Sequence, residues 1–172
     1  MTLALRIPPP VVLLACGALA YALALAVPGA SLVAPPAQPN AGDTAGAMVV
    51  VGTTAMATIA AIALAVAGGL LALLAFIEFQ KARTTVNPFS PKNTTALVTG
   101  GVFGWSRNPI YLGDLLILLG WAIYLQHALA FLLLPVFVVY INRFQIEPEE
   151  QVLREKFGER FDAYRQRVRR WL

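Results

Sequence analysis

From Ala47 to Phe79 the chain runs 33 residues with a single charge, Glu78, and nothing constrains its fold more. A spanning helix needs only about 20 apolar residues, so this run exceeds one perpendicular crossing and must tilt, kink or project beyond the bilayer. The adjacent pair Gly68-Gly69 is where a bend or a close helix contact is expected, because glycine removes side-chain bulk and weakens a helix. Glu78, Lys81 and Arg83 then mark emergence from the membrane.

Two further apolar stretches fit the same solvent. Arg6, the apolar run Val11 to Val27 and then Pro28-Gly29-Ala30 have the parts of a secretory signal. The run is longer than a usual signal core, so it reads as an uncleaved first span over about 9–27. The segment Pro28 to Ala45 is rich in Pro, Gly and Ala and reads as a loop. From Ile110 to Ile141 the chain is apolar again, with Gln126-His127 near its middle. That run is either one oblique span or a tight hairpin of two short ones.

Charge decides for the hairpin. All 13 Lys and Arg residues, namely Arg6, Lys81, Arg83, Lys92, Arg107, Arg143 and seven in the tail, then fall on one face. By the positive-inside rule that face is cytoplasmic, with both chain ends on it. The expected architecture is an all-α integral membrane protein of one domain, residues 1–172. About four transmembrane helices (9–27, 47–79, 110–125 and 128–142) are followed by an amphipathic C-terminal helix. A loop over 84–109 and the tail 143–172 lie on the cytoplasmic side. Short length and the signal-like N-terminus point to a bacterial inner membrane. Composition agrees, with 58% hydrophobic and 13% charged residues. The net charge of +4 follows from orientation, so nucleic acid is not an expected partner. Cys16 is the single cysteine, which rules out an intramolecular disulfide and a cysteine metal cluster; no metal site is expected.

Two polar stretches flank the hairpin. Ser106-Arg107-Asn108-Pro109-Ile110-Tyr111-Leu112-Gly113 puts a guanidinium, an amide and a phenol at a membrane boundary, with Pro109 at a first helical position where its missing N–H costs nothing. A helix start beside an arginine suits anionic groups. An ordinary reading makes Arg107 and Tyr111 interfacial anchors. In the tail, Leu153, Phe157, Phe161, Tyr164, Val168 and Trp171 recur at helical spacing beneath a charged face, and Gly158 marks a bend or close approach. Pro148 before Glu149-Glu150 fits a helix start, where carboxylates complement free N–H groups.

Arg107-Asn108-Pro109-Ile110-Tyr111-Leu112-Gly113, a hydrophobic hairpin, and then Glu149-Glu150-Gln151-Val152-Leu153-Arg154-Glu155-Lys156-Phe157-Gly158 continuing to Tyr164 resemble the isoprenylcysteine carboxyl methyltransferase and phospholipid methyltransferase superfamily. The resemblance covers about Thr84 to the C-terminus. It implies a membrane-embedded enzyme that binds S-adenosylmethionine on the cytoplasmic side and methylates a lipophilic small molecule through a carboxylate, amine or thiol. It implies catalytic roles for Arg107 and Glu150, and cofactor contacts from Arg107, Asn108, Pro109, Tyr111, Leu112, Gly113, Arg143, Glu149 and Glu150. In that reading the two glutamates accept from the cofactor's ammonium or ribose hydroxyls, Arg107 or Arg143 pairs with its carboxylate, and Tyr111 lies against the adenine. The chain departs from the family pattern at Asn108, where a histidine is usual, at Phe161, where a tyrosine is usual, and at Arg169, where a proline often stands. No G-x-G-x-x-G follows a strand, which excludes a Rossmann-type methyltransferase. The rival classes are a non-enzymatic membrane scaffold and an NADPH-dependent lipid or sterol reductase of similar architecture. The bilayer is the one partner the composition requires, and oligomeric state is left open.

Overall fold

The computed structural model describes residues 7–33, 44–83 and 95–172. The expected loop 84–109 is therefore seen from residue 95 onward, and its first part, with Lys92, lies outside the described residues, as do Arg6 and residues 34–43. The described chain is helical, with no strand beyond an isolated bridge between Ser31 and His127.

Four apolar helices make the bundle: α1, Pro9–Ala26; α2, Thr44–Lys81; α3, Pro109–Leu125; and α4, Ala128–Ile141. Pro9 and Pro109 stand in the first turns of α1 and α3, where a missing N–H removes no intrahelical bond. Three segments, Pro9–Ala26, Met48–Lys81 and Ala128–Phe157, are long and apolar enough to cross a membrane, and α3 is a shorter apolar helix. The protein is an integral membrane protein. Large hydrophobic side chains such as Leu14, Ile59, Ile62 and Val139 face outward, as a lipid solvent requires.

α2 is one unbroken helix of 38 residues, so the glycine pair does not interrupt it. Gly68 instead makes the close contact. A Cβ added to Gly113 would come 2.5 Å from the Gly68 carbonyl oxygen, and one added to Gly120 would come 2.8 Å from that of Ala61. Side-chain-free positions let the α2 and α3 backbones touch, which replaces the hydrophobic drive that lipid cannot supply.

The α3/α4 hairpin turns at Gln126, whose left-handed backbone (φ 49, ψ 42) ends α3. His127 is buried there, its Nε2 lying 2.9 Å from the Val27 carbonyl, while Leu32 N–H donates to the Gln126 carbonyl at 2.7 Å. These bonds tie the hairpin tip to the end of α1, at the opposite end of the bundle from Pro109.

Beyond α4 the helix does not stop. A five-residue π-turn, Asn142–Ile146, leads straight into α5, Glu147–Phe157, with the Glu147 N–H bonded to the Asn142 carbonyl. The apolar run ends here, and the chain is charged from Arg143 onward. The helix-start account of Glu149-Glu150 is therefore corrected. Pro148 can neither donate to residue 144 nor avoid its carbonyl in a regular α-helix, and the wider π-turn accommodates it without ending the helix. The tail is also not one helix. Gly158, at φ 52, separates α5 from α6, Glu159–Arg167, and Val168 is extended (φ −121, ψ 130), so the stripe through Trp171 leaves helical geometry after Arg167.

Candidate active site

The two polar stretches read from the sequence meet at one end of the bundle, 43 residues apart in the chain. Arg107 donates through Nη2 and Nε to Glu150 Oε1 at 2.7 and 3.2 Å. Arg170 donates through Nη2 to Glu150 Oε2 at 2.7 Å. Glu150 is thus held between two guanidiniums, with the side chains of Arg107 and Glu150 only 10% and 13% exposed. Burial alone pushes the Glu150 carboxyl upward, but hydrogen bonds and charge from Arg170 and Arg107 outweigh it and hold the group below its ordinary value.

Beside this clamp, Tyr111 donates its hydroxyl to Glu149 Oε1 at 2.6 Å. Among the described residues no cation pairs with Glu149. Its carboxyl is pushed up to about 7, first by burial; the Tyr111 hydrogen bond opposes that rise and the neighbouring Glu150 charge adds to it. Two adjacent carboxylates therefore differ, one kept ionised by arginines and one poised near neutrality. Such separation is a common property of working sites.

The extended end of the chain closes over the start of α3. Arg107 Nη1 donates to the Val168 carbonyl at 2.6 Å and the Arg107 N–H to the Arg169 carbonyl at 3.0 Å. Asn108 Nδ2 and Ser106 Oγ both donate to the Arg170 carbonyl, at 2.9 and 3.3 Å. Three successive tail carbonyls are thus satisfied by three successive residues before α3. This recruitment is why the tail abandons helix after Arg167. Tyr164 supports it from beneath, its buried hydroxyl donating to the Phe103 carbonyl at 2.7 Å. Burial holds that phenol above its ordinary value, although the Arg107 charge acts the other way.

Arg107, Asn108, Tyr111, Glu149 and Glu150 are brought together, and Pro109 is fully buried at the head of α3 between them. Leu112 is buried among helices, and Gly113 lies in the crossing with α2, against the Gly68 backbone. Arg143 is not brought in; it is exposed and pairs with Glu147 at 2.8 Å, one turn along its own helix. The sequence reading named Ser106 in the stretch before α3 without giving it a role, and overlooked Arg170, Asp114 and Gln145. Arg170 and the tail carbonyls carried no signal, since an arginine near a C-terminus is commonplace. Asp114 did carry one, as the lone charge in the run from Ile110 to Ile141. Among the described residues, Asp114 Oδ2, Tyr140 OH and Gln145 Oε1 are buried without a hydrogen-bond partner.

The phospholipid methyltransferase family model matches residues 56–160, more than half of the chain, taking in Arg107, Tyr111, Glu149 and Glu150 but not Arg170. An uncharacterized protein of Haemophilus influenzae (strain ATCC 51907 / DSM 11121 / KW20 / Rd) is 49% identical over 63 residues, which are 37% of this chain and the whole of that relative. No solved structure matches. With the extent of the family match and the convergence of its two polar motifs on one end of a membrane bundle, the chain belongs to the phospholipid methyltransferase family, within the isoprenylcysteine carboxyl methyltransferase-like superfamily.

Proposed function

We propose that this membrane protein transfers a methyl group from S-adenosylmethionine to a lipophilic small molecule, using the end of the bundle where Glu149 and Glu150 meet the start of α3. The observation that carries the reading is the pairing of Glu149 with Tyr111 and of Glu150 with Arg107, which brings two distant motifs into one polar cluster.

The residues fit that cofactor. Its ammonium and ribose hydroxyls need acceptors, and Glu149 and Glu150 supply them; its carboxylate needs a cation, and Arg107 and Arg170 supply two. Gln145 Oε1, buried without a partner on the turn leading to these glutamates, is a further acceptor awaiting a donor. Tyr111, backed by the fully buried Ile146 and Ile141 in one cluster with it, is the aromatic group a purine would meet. When bound, the sulfonium supplies an already activated methyl carbon. The chain's own work is to hold, align and keep water out, for which a dry, preorganised wall suffices.

The positive charge gathered at this end supports a cytoplasmic location for it, in a bacterial inner membrane. With no described domain outside the bundle and tail, the acceptor is read as a lipophilic small molecule entering from the bilayer. Titration calorimetry in detergent with S-adenosylhomocysteine tests the proposal. Micromolar binding is expected, with none for NADPH. NADPH binding in its place would establish the reductase reading, and binding of neither would favour the scaffold.

A further inference from the structure

Residues 154–170 carry seven cations and three carboxylates, while the six cations and six carboxylates of the rest of the chain balance, so the whole formal charge of +4 lies on this stretch. The clamp uses one of the seven, Arg170, and Arg154 and Arg165 both reach Asp162. Arg160, Arg167 and Arg169 are exposed and, among the described residues, form no ion pair.

These three guanidiniums are held in place by the fold. Phe161, Tyr164 and Val168 are buried in a cluster with Leu97, Leu153 and Phe157, and the Tyr164 hydroxyl donates to the Phe103 carbonyl at 2.7 Å. Phe103, in a short 3₁₀ turn Gly101–Gly104, packs in its turn on Ala75, Leu71 and Phe79 of α2, its ring edge-on to Phe79 at 5.1 Å between centroids. Phe79 is two residues before Lys81, the last residue of α2, so Phe103 ties α6 to the place where the long apolar helix ends. Trp105 closes the same 3₁₀ turn and is 74% exposed.

Arg160 and Arg167 are seven residues apart on α6 and project within about 20° of each other, on one flank of the buried stripe, while Asp162 projects from the other side. At Val168 the backbone is extended, and extended residues alternate their side chains. Val168 accordingly turns inward, Arg169 outward, and Arg170 inward to Glu150.

We infer that Arg160, Arg167 and Arg169, with Trp105 beside them, form a docking surface for the anionic phosphodiester headgroups of the bilayer, and that its occupation fastens residues 168–170 over the site. The end of an apolar spanning helix is where headgroups lie, and an exposed indole is the side chain that settles at that depth. Guanidiniums match phosphate because their planar forks donate paired hydrogen bonds to its oxygens. A leaflet presents many phosphates in one plane, which suits three guanidiniums fixed on one framework better than a single ion in solution does. Pinning Arg169 outward restrains its neighbour Arg170 in the Glu150 clamp.

The test uses the full chain in nanodiscs of phosphatidylcholine, alone or mixed with phosphatidylglycerol, and reads amide hydrogen exchange over residues 159–170. Exchange should slow several-fold in the mixed discs at low salt, and the difference should vanish at high salt. Arg160→Gln/Arg167→Gln should exchange at one rate in both discs, while binding S-adenosylhomocysteine in phosphatidylcholine as wild type does. Inorganic phosphate added to phosphatidylcholine discs should not reproduce the slowing. Equal exchange of wild type in both discs, slowing that survives in the double variant, or the same slowing by inorganic phosphate overturns the docking surface. A second readout rests on the cofactor reading: wild type should bind S-adenosylhomocysteine several-fold more tightly in the mixed discs. Equal, measurable affinity in both discs overturns the fastening of the site. Lipid-dependent exchange with no S-adenosylhomocysteine binding in either disc upholds the surface and overturns the cofactor reading.

Discussion

Tyr111 and Glu149 are 38 residues apart in the chain, yet the phenol of one donates to the carboxyl of the other across 2.6 Å, fixing the first turn of α3 to α5. Because burial lifts Glu149 from its ordinary 4.5 to about 7, the neutral acid is the form the fold prefers. The stabilisation is complete below 4.5 and is lost as pH rises through about 7, where the folded state must carry a poorly solvated charge. Cofactor-free protein should therefore lose thermal stability between about pH 4.5 and 7, and Glu149→Gln should flatten that dependence. If the cofactor's ammonium pairs with Glu149, affinity for S-adenosylhomocysteine should climb over the same window in wild type only. Melting curves and calorimetry across pH check both; parallel profiles in wild type and variant would remove Glu149 from this role.

Glu150 has the opposite sign. Its carboxyl is held below the ordinary value, so what it contributes is present above about 4.5 and is lost as pH falls through its lower folded-state value. Glu150→Gln leaves Arg107 and Arg170 facing a neutral amide. A lost charge-assisted contact of roughly 1.5–3 kcal/mol predicts cofactor binding at least about tenfold weaker. Since no helix begins at Pro148, the variant has no helix-dipole effect to hide behind, and unchanged affinity would place the cofactor elsewhere.

Much of this fold was legible because lipid makes the pattern blunt. Runs of apolar residues longer than a crossing leave few alternatives to helices, and two adjacent polar residues at Gln126-His127 inside such a run mark a hairpin tip. The acidic pair and Arg107 were legible by type and spacing, but their geometry was not. A proline beside two glutamates announces a helix start in any isolated stretch; only the π-turn, whose i to i−5 bonding leaves no trace in composition, lets the helix run through Pro148. The helical stripe through Val168 and Trp171 was genuine as far as Arg167. It then lost to a long-range competition, since Arg107, Asn108 and Ser106 offer donors to three tail carbonyls that no local propensity encodes. Gly113 shows the reverse, a motif residue whose place in the structure is a helix crossing.

That crossing gives a stability prediction. An alanine at Gly113 would put its Cβ 2.5 Å from the Gly68 carbonyl oxygen, a separation that backbone on both sides must widen to relieve. Gly113→Ala should destabilise by about 1–3 kcal/mol, the cost of overpacking. Gly69→Ala, one position along α2 from Gly68 with nothing within 4 Å of the added Cβ, should be neutral or gain up to about 1 kcal/mol from helix propensity. Equal melting temperatures for the two variants would mean that α2 and α3 are not so closely apposed.

Orientation can be checked directly. Ile7 accepts a 2.6 Å hydrogen bond from Gln145 Nε2 and Arg170 joins Glu150, so both described ends of the chain lie at the site end, while Val27 and Ser31 lie with His127 at the other. Reporter fusions at the C-terminus and within residues 34–43 should give opposite locations, the C-terminus cytoplasmic. Identical locations would refute the crossing pattern.

Asn108 bears on the chemistry where this chain departs from its family. A histidine there would bring a group titrating near pH 6.5, suited to general-base work. This chain's one histidine, His127, is at the far end of the bundle against Val27, so no imidazole reaches the site. The Asn108 amide donates to the Arg170 carbonyl at 2.9 Å, which makes it a latch on the tail that carries the second guanidinium of the Glu150 clamp. An amide copies the donor geometry of an imidazole but takes up no proton near neutrality. Asn108→Ala should therefore loosen Arg170, weaken cofactor binding and lose much of the methyl transfer, whereas Asn108→His should retain most of both. Any titration near pH 7 in the wild-type rate should disappear in Glu149→Gln. A titration that survives there, or a large gain in rate from Asn108→His with a new inflection near pH 6.5, would mean that the site wants a base at position 108 and that the latch is not its main function.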